Sequence, residues 1–412
     1  MKVFKLPIKS KHVLLSLGAE SAGNFSIFKN EKVFYFDNFG DLLEAEKFII
    51  FKKEILSFLK KEKLRPSVII TDLHPDYVTT ILGSEFSKKF KAKHIKVQHH
   101  HAHICSQLPL CKLQTVNCKL YGIALDGTGY GTDKKIWGGE VFKISNSSNY
   151  LIPNQIPNSK LQISNKFKIH RIGHLENQTL IGGDLAIREP TRVLISVLSK
   201  FLSKKKVYLQ VKKHYSKNEF ELLWNQMQDG FNCIETSSAG RILDAVSVLL
   251  GFSENERKEK HGATYLLEKN STKPYRDLRP KLQISSHKSP SNSKIQNSKY
   301  ILDTTHLFKY LLKYIPMNVH RNVHRDPRRL AATAQLYIAE GMHEIIKKHL
   351  RANEANKLKA KSYLSGGLSE NTIIKKYFIS QGLITSKEKS LIARGDKGIS
   401  VGQIIYYLQN KK

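Results

Sequence analysis

The chain has 412 residues, 40% of them hydrophobic, and a formal net charge of +33. That length allows two or three domains or one large two-lobed enzyme. With no apolar run of about 18 residues, no transmembrane helix is expected.

The excess charge is mostly lysine spread over loops and helix faces, as at Lys204-Lys205-Lys206 and Lys212-Lys213. It reads first as a Lys- and Asn-rich compositional bias and second as a surface for a polyanion. The first residues lack a long apolar core and a small-residue cleavage site, so no signal peptide is expected. Cys105, Cys111, Cys118 and Cys233 form no Cys-x-x-Cys pair, which fits a reducing cytoplasm rather than a zinc finger or disulfide scaffold.

In chain order, residues 12–17 read as a strand, 18–24 as a tight turn and 25–28 as a second strand. Residues 46–63 read as an amphipathic helix, and 67–72 as a buried strand ending in Asp72. Residues 119–125 repeat the opening design as a strand, with 126–133 as a Gly-rich turn and 136–142 as the return strand. Two such hairpins suggest a duplicated α/β fold with a nucleotide between two lobes. The predicted lobes are residues 1–118 and 119–412.

Residues 145–169 and 279–299 share a Lys-Leu-Gln-Ile-Ser core and are rich in Ser, Asn and Lys, so both read as polar insertions, loop or disordered. The tandem Asn318-Val319-His320-Arg321 and Asn322-Val323-His324-Arg325 is a small duplication without chemistry. Residues 328–350 have helical spacing, and 361–364 form a strand running into Ser365-Gly366-Gly367 and another helix.

Two stretches carry chemistry. In Val97-Gln98-His99-His100-His101-Ala102-His103-Ile104, His99 and His103 are four apart, so a helix stacks them on one face. That spacing offers two nitrogens to one metal. Downstream, Asp126-Gly127-Thr128-Gly129-Tyr130-Gly131 is a Gly-rich segment headed by a carboxylate, the make-up of a phosphate or metal–phosphate cradle. Duller readings stand beside these. A His cluster can be a surface scavenger, Asp396 can cap the helix near Ile399, and Asp244 can be an ordinary helix-face carboxylate. His100 and His101 can pack or one of them can shuttle a proton, Trp137 can simply pack, and Asp72, His74 and Asp76 can either support the metal ligands from behind or end a strand.

Taken in order, the chain resembles the C-terminal carbamoyltransferase region of the hydrogenase maturation family HypF. The matching segments are Leu17-Gly18-Ala19-Glu20, Asp72-Leu73-His74-Pro75-Asp76-Tyr77, the His99–His103 run, the Asp126–Gly131 segment and Trp137-Gly138-Gly139-Glu140. They continue with Gly182-Gly183-Asp184 and Arg188-Glu189-Pro190, then Ser237-Ser238-Ala239-Gly240-Arg241 with Asp244. Leu364-Ser365-Gly366-Gly367 with Asn371, and Gly395-Asp396-Lys397-Gly398 with Gly402-Gln403, complete the series.

The resemblance implies a two-lobed α/β fold of the actin/Hsp70/sugar-kinase type, built from two ribonuclease H-like lobes with the two insertions added. It implies carbamoyl transfer from carbamoyl adenylate to the C-terminal cysteine thiol of a HypE-like acceptor, toward the cyanide ligands of a [NiFe] site. By the matching motifs, His99, His103 and Asp126 are the catalytic residues. With Asp396 they hold a divalent metal, iron or zinc, and Mg accompanies ATP. Gly127, Thr128 and Gly129 cradle phosphate, Asp244 meets ribose, and Gly366, Gly367 and Asn371 face adenine.

The sequence departs from the family where Lys260-His261-Gly262-Ala263 replaces a usual Tyr-Glu-Gly-Gln and Ile181 replaces a proline. No acylphosphatase, zinc-finger or YrdC-like segment is read in the sequence, so either a separate YrdC-like chain is expected to supply the adenylate or the sequence is a fragment of a split gene. Two rival functions remain: threonylcarbamoyl transfer to tRNA adenosine, which the charge favours and the motifs do not, and a module that binds nucleotide and metal without turnover.

Overall fold

A computed structural model describes residues 1–108, 119–146, 167–257, 262–285, 299–315, 324–352, 360–384 and 392–410. The chain begins with strands β1 (Lys2–Lys5), β2 (Leu14–Ser16), β3 (Phe25–Lys29) and β4 (Lys32–Phe36). Helix α1 (Ala45–Lys61), strand β5 (Val68–Asp72), helix α2 (Val78–Phe90), strand β6 (Lys93–Val97) and helix α3 (His99–Gln107) follow. One sheet orders these strands β1-β4-β3-β2-β5-β6, antiparallel up to β2 and parallel beyond it. The β2–β3 hairpin needs Gly18: its φ is +63°, and a Cβ there would lie 2.4 Å from Asn24.

Strands β7 (Lys119–Tyr130), β8 (Ile136–Asn146), β9 (Phe167–Leu175) and β10 (Gln178–Ile181) come next. Helices α4 (Leu185–Arg188), α5 (Thr191–Ser199), α6 (Lys204–Val211) and α7 (Lys217–Asp229) lead to β11 (Cys233–Thr236), α8 (Ala239–Leu249) and α9 (Gly262–Lys269). The described chain closes with β12 (Leu282–Ser285), β13 (Lys299–Leu302), α10 (Thr304–Tyr314), α11 (Pro327–Ala352), β14 (Ala360–Ser365), α12 (Thr372–Ser380) and α13 (Ile399–Asn410). In this second sheet β7 pairs antiparallel with β8 and parallel with β14, while β8 leads through β9 to β13 and β12. As β2 does in the first sheet, β7 has an antiparallel meander on one side and a parallel strand on the other. The duplicated design is therefore present.

Alternation along the strands explains the layers, since successive side chains point to opposite faces. Leu15, Ile27 and Ile69 join Phe51 and Ile55 of α1 and Phe86 of α2 in an outer core. Leu14, Phe28 and Ile70 face the other way, onto Ala102 and Ile104 of α3 and Val401 and Ile405 of α13. Leu120, Ala124 and Phe142 of the second sheet reach the same helices. Tyr121, Ile123 and Leu125 turn to the far side and pack with α5, α8 and α11. So α3 and α13 form the middle layer between the sheets. They cross closely at Gly402, where a Cβ would sit 1.9 Å from the Ala102 carbonyl oxygen.

Three readings need correction. Residues 126–130 are strand rather than turn, and the reversal falls at 131–135 between β7 and β8. Glycine there serves close packing, not chain reversal. Strands β8 and β9 extend into the ends of the stretch 145–169, where the composition predicts loop or disorder. Likewise β12 pairs with β13 at Leu282↔Leu302 through Ser285↔Lys299, inside the stretch 279–299. Alternating Leu282 and Ile284 suffice for an edge strand, with Ile284 exposed. Lys260, His261, Cys111, Cys118 and the repeat at 318–323 lie outside the described residues, as do 147–166 and 286–298.

Candidate metal centre

Asp126 stands where the ladder between β7 and β8 slips, because Leu125 pairs with Gly139 but the next registered pair is Gly129 with Trp137. This bulge places the buried Asp126 carboxylate against the first turns of α3. Asp126 Oδ2 lies 3.3 Å from His99 Nε2 and 3.3 Å from His103 Nε2. Asp396, in the 3-10 turn before α13, brings its Oδ1 to 3.4 Å from His103 Nε2 and 3.8 Å from His99 Nε2. One donor atom from each of the four residues lies within 4.8 Å of every other. Three stretches far apart in sequence thus meet at one point.

Neighbouring groups decide which ring nitrogen carries a proton. His99 Nδ1 is 2.7 Å from Asp72 Oδ2, a pure acceptor at the end of β5. His103 Nδ1 is 3.2 Å from Ser365 Oγ, whose own proton goes to the Arg394 carbonyl 2.7 Å away. Both neutral rings therefore hold the proton on Nδ1 and present an Nε2 lone pair. His100 is wired the other way. Gln98 Oε1 accepts from the His101 N–H at 2.9 Å, which aims its NH2 group at the Tyr130 carbonyl (3.1 Å) and His100 Nδ1 (3.3 Å). His100 Nδ1 is thus an acceptor and its Nε2 carries the hydrogen, 3.8 Å from Asp126 Oδ2.

These residues fit a divalent cation. The Nε2 atoms of His99 and His103 are buried and in hydrogen-bond geometry with no partner among the described residues, which is costly unless something fills the position. Two imidazoles and two carboxylates are a usual ligand set. A tetrahedron with metal–ligand bonds of about 2.0–2.1 Å has edges of about 3.3 Å, close to the His–Asp separations. The electrostatics agree. Burial opposes charge on His99 and His103, yet Asp72, Asp126 and Asp396 hold His99, and Asp126 and Asp396 hold His103, above 6.5. Burial and Asp396 push the Asp126 carboxyl up, but His103 and His99 prevail and keep it well below its usual range. Burial, then His99, pushes His100 well down, so it stays neutral.

Backbone positions complete the centre. A Cβ on Gly129 would lie 2.4 Å from His100 Cε1 and 2.9 Å from His99 Cδ2, so the strand can pass the imidazoles only as glycine. Gly366, at φ +98°, lies so close to β7 that a Cβ would be 2.3 Å from the Leu125 oxygen. The next residue, Gly367, donates its N–H to Asp126 Oδ1 at 3.0 Å, leaving Oδ2 for the centre. Ser21 donates to Asp396 Oδ2.

The remaining predicted residues are placed as follows. Gly127 and Thr128 are partly exposed beside the centre, and Gly129 is buried. Asp244 is 1% exposed on α8, 2.9 Å from Arg241 Nη2. Asn371 accepts from the Ile374 N–H at 3.1 Å, capping α12, and donates to Gln335 at 2.7 Å. His101 packs against Phe142 and Tyr406, and Trp137 lies under the Arg171 guanidinium. Arg171 also pairs with the fully buried Glu140, which accepts from Ser237. Ser238, the N-cap of α8, donates to the Asp126 oxygen at 3.0 Å and to the Gly127 oxygen. Roles for Ser365, Arg171 and Ser238 escaped the sequence reading. Ser365 and Ser238 fall inside segments that carry the family resemblance, and Arg171 falls in none.

Fold and centre together define a two-lobed α/β protein with a His2Asp2 site where its sheets meet. Residues 9–109 match the HypF Kae1-like domain model, and residues 122–151 and 160–403 match the model for the second subdomain of the carbamoyltransferase Kae1-like domain. The chain belongs to the HypF carbamoyltransferase family. It is 30% identical over 420 residues to the probable carbamoyltransferase HypF of Methanocaldococcus jannaschii, covering 98% of this chain and 48% of that protein. A carbamoyltransferase HypF homologue of Cupriavidus necator is 27% identical over 267 residues, 65% of this chain and 62% of its own. The crystal structure of T. kodakarensis HypF superposes with a TM-score of 0.76 and 28% identity over 99% of this chain and 48% of that one. A full-length HypF in a phosphate- and nucleotide-bound form shares the fold, with a TM-score of 0.75 and 23% identity over 98% of this chain and 47% of that one. The chain thus spans about half the length of the M. jannaschii and T. kodakarensis proteins. No helix among the described residues is long and apolar enough to cross a membrane.

Proposed function

We propose that this chain transfers a carbamoyl group from carbamoyl adenylate to a thiol, the C-terminal cysteine of a HypE-like acceptor, on the way to the cyanide ligands of a [NiFe] centre. The observation that carries this reading is the convergence of His99, His103, Asp126 and Asp396 beside the part-exposed Gly127-Thr128 backbone.

Those four residues would hold a divalent cation, which supplies Lewis-acid polarisation of a carbonyl or phosphoryl oxygen. The chain's own groups do the rest. Asp72 and Ser365 orient the two ligand imidazoles. The Gly127-Thr128 segment seats the donor phosphate, and His100 presents a neutral N–H to the oxygen on which charge develops. In the reaction the acceptor sulfur bonds to the carbamoyl carbon and the carbon–oxygen bond to phosphate breaks. The electron pair leaves on AMP, and the thiol proton goes to solvent. No protein nucleophile is required.

A second reading, threonylcarbamoyl transfer to tRNA adenosine, draws on the net charge of +33. The two separate in one experiment. Chain, acceptor and carbamoyl adenylate are incubated, and the acceptor's C-terminal peptide is weighed by mass spectrometry. A gain of one carbamoyl group supports thiol transfer. No gain, together with salt-sensitive tRNA binding and tRNA modification, overturns it in favour of tRNA.

A further inference from the structure

Hydrogen bonding holds the neutral imidazole of His100 at one end only. Gln98 meets its Nδ1 at 3.3 Å, while the buried Nε2 has no hydrogen-bond partner among the described residues. The torsion that swings an imidazole about its Cβ–Cγ bond has broad minima. Where the Nε2 hydrogen points is therefore decided by what packs beside the ring.

The second sheet supplies that neighbour. Gly129 of β7 and Trp137 of β8 are registered partners, and such a pair carries its side chains on one face about 5 Å apart. Gly129 leaves its place empty and His100 fills it, since a Cβ on Gly129 would lie 2.4 Å from His100 Cε1. The imidazole thus takes the seat of a cross-strand side chain beside the indole. The two rings are 6.4 Å apart between centres with planes at 23°, within the range of interacting aromatic pairs.

The indole is itself fixed. Its N–H donates to Asp133 Oδ1 at 2.8 Å, and Arg171 Cζ lies 4.1 Å from its ring centre. The guanidinium is held over the ring because its Nε pairs with the fully buried Glu140 and its Nη2 donates to Ser237 at 3.3 Å. Indole is the best aromatic partner for a cation, and a planar guanidinium stacks on it well. Arg171 has no part in the metal chemistry, yet it grips the residue that packs beside His100.

We infer that Trp137, clamped by Arg171, is a positioning residue for His100 and keeps its Nε2 hydrogen aimed at the oxygen on which charge develops during carbamoyl transfer. This rests on the reaction proposed above and names the residues that hold its hydrogen-bond donor ready before the charge appears.

The test has two readouts on the zinc-loaded full chain. The first is the rate of carbamoyl transfer to the thiol acceptor for Trp137→Leu, Trp137→Phe and the double variant Arg171→Met/Glu140→Gln, each made also in a His100→Phe background. Changing Arg171 and Glu140 together avoids stranding a buried carboxylate. Trp137→Leu and the double variant should lower kcat about tenfold at unchanged acceptor KM and metal content. Trp137→Phe, which keeps an aromatic face for the guanidinium, should recover most of that loss. In the His100→Phe background the same changes should cost nothing further, because the group they position is gone. Equal losses in both backgrounds would make Trp137 and Arg171 merely structural and overturn the inference. The second readout is the imidazole N–H signal of His100 in histidine-labelled protein, identified by NMR as the signal missing from His100→Phe. It should shift and broaden in Trp137→Leu and in the double variant; an unchanged signal overturns the inference. A wild-type chain that transfers no carbamoyl group overturns the proposed function, and the NMR signal alone then decides whether Trp137 positions the imidazole.

Discussion

Ser365 Oγ stands 3.2 Å from His103 Nδ1, 262 residues away in sequence, and gives its own proton to the Arg394 carbonyl. The hydroxyl can therefore only accept from the imidazole, which turns the lone pair of Nε2 toward Asp126 and Asp396. Ser365→Ala removes that constraint without touching a ligand. Metal affinity should fall about 10- to 100-fold, read by competition with a chromophoric chelator, while the unfolding midpoint of the metal-free protein changes little.

Asp72 performs the same service for His99 at 2.7 Å and also accepts from the His74 N–H at 3.0 Å. Asp72→Asn keeps the shape but halves the acceptor capacity. A similar loss of about 10- to 100-fold in metal affinity is expected. Unchanged affinity in both variants would show that the ligand rings need no outside orientation.

Gly129→Ala tests the close passage of β7 beside the imidazoles. Its Cβ would stand 2.4 Å from His100 and 2.9 Å from His99. Overpacking of this kind costs about 1–3 kcal/mol, and because the rings must yield, bound metal should drop below one equivalent. Gly402→Ala is its counterpart at the α3–α13 crossing, where the clash is with the Ala102 carbonyl. Denaturant unfolding should show about 2 kcal/mol of destabilisation. A fully stable Gly402→Ala protein would mean that α13 is free to shift.

The His99 and His103 pKa values in the metal-free protein are raised above 6.5, and that of Asp126 lies below 3.8. The histidine contribution to stability is complete below pH 6.5 and is lost as pH rises through the raised values. The Asp126 contribution is complete above pH 3.8 and is lost as pH falls through the depressed value. Metal must displace the Nε2 protons, so its affinity rises with pH. Thermal stabilisation by added metal should be larger at about pH 8.5 than at about pH 5.5; the reverse order would show that the imidazoles are not ligands.

The neutral His100 should behave differently from its neighbours. With Nδ1 facing Gln98, it has no lone pair to offer from Nε2. His100→Phe should bind metal normally yet transfer carbamoyl about 100-fold more slowly. Loss of metal in this variant would make His100 a ligand instead.

What can be read in the sequence follows the distance over which each interaction acts. His99 and His103 are legible because one helical turn joins them, and Asp126 because it heads a glycine run. The pairing of Asp72 with His99 and of Ser365 with His103 is set by strand order, which no local pattern encodes. Glycine misleads in one place. At Gly129 it is present because the imidazoles of His99 and His100 come close, not because the chain turns back, so residues 126–130 read as a turn and fold as a strand. Asp244 and Arg241 are legible together, three apart in one motif, whereas Asn371 is legible as a polar motif residue but its partner Gln335 emerges only from packing. The edge strand Leu282–Ser285 hides because its two apolar residues are outnumbered by polar neighbours.

The most direct test of the four-residue centre is X-ray absorption at the metal edge on the purified chain, beside His103→Ala and Asp396→Asn. Wild type should bind one equivalent, with a first shell of nitrogen and oxygen donors at about 2.0–2.1 Å that includes two imidazoles. His103→Ala should lose one imidazole and most of the metal. Sulfur in the first shell, or a shell and occupancy unchanged in His103→Ala, would place the metal elsewhere and contradict the centre described above.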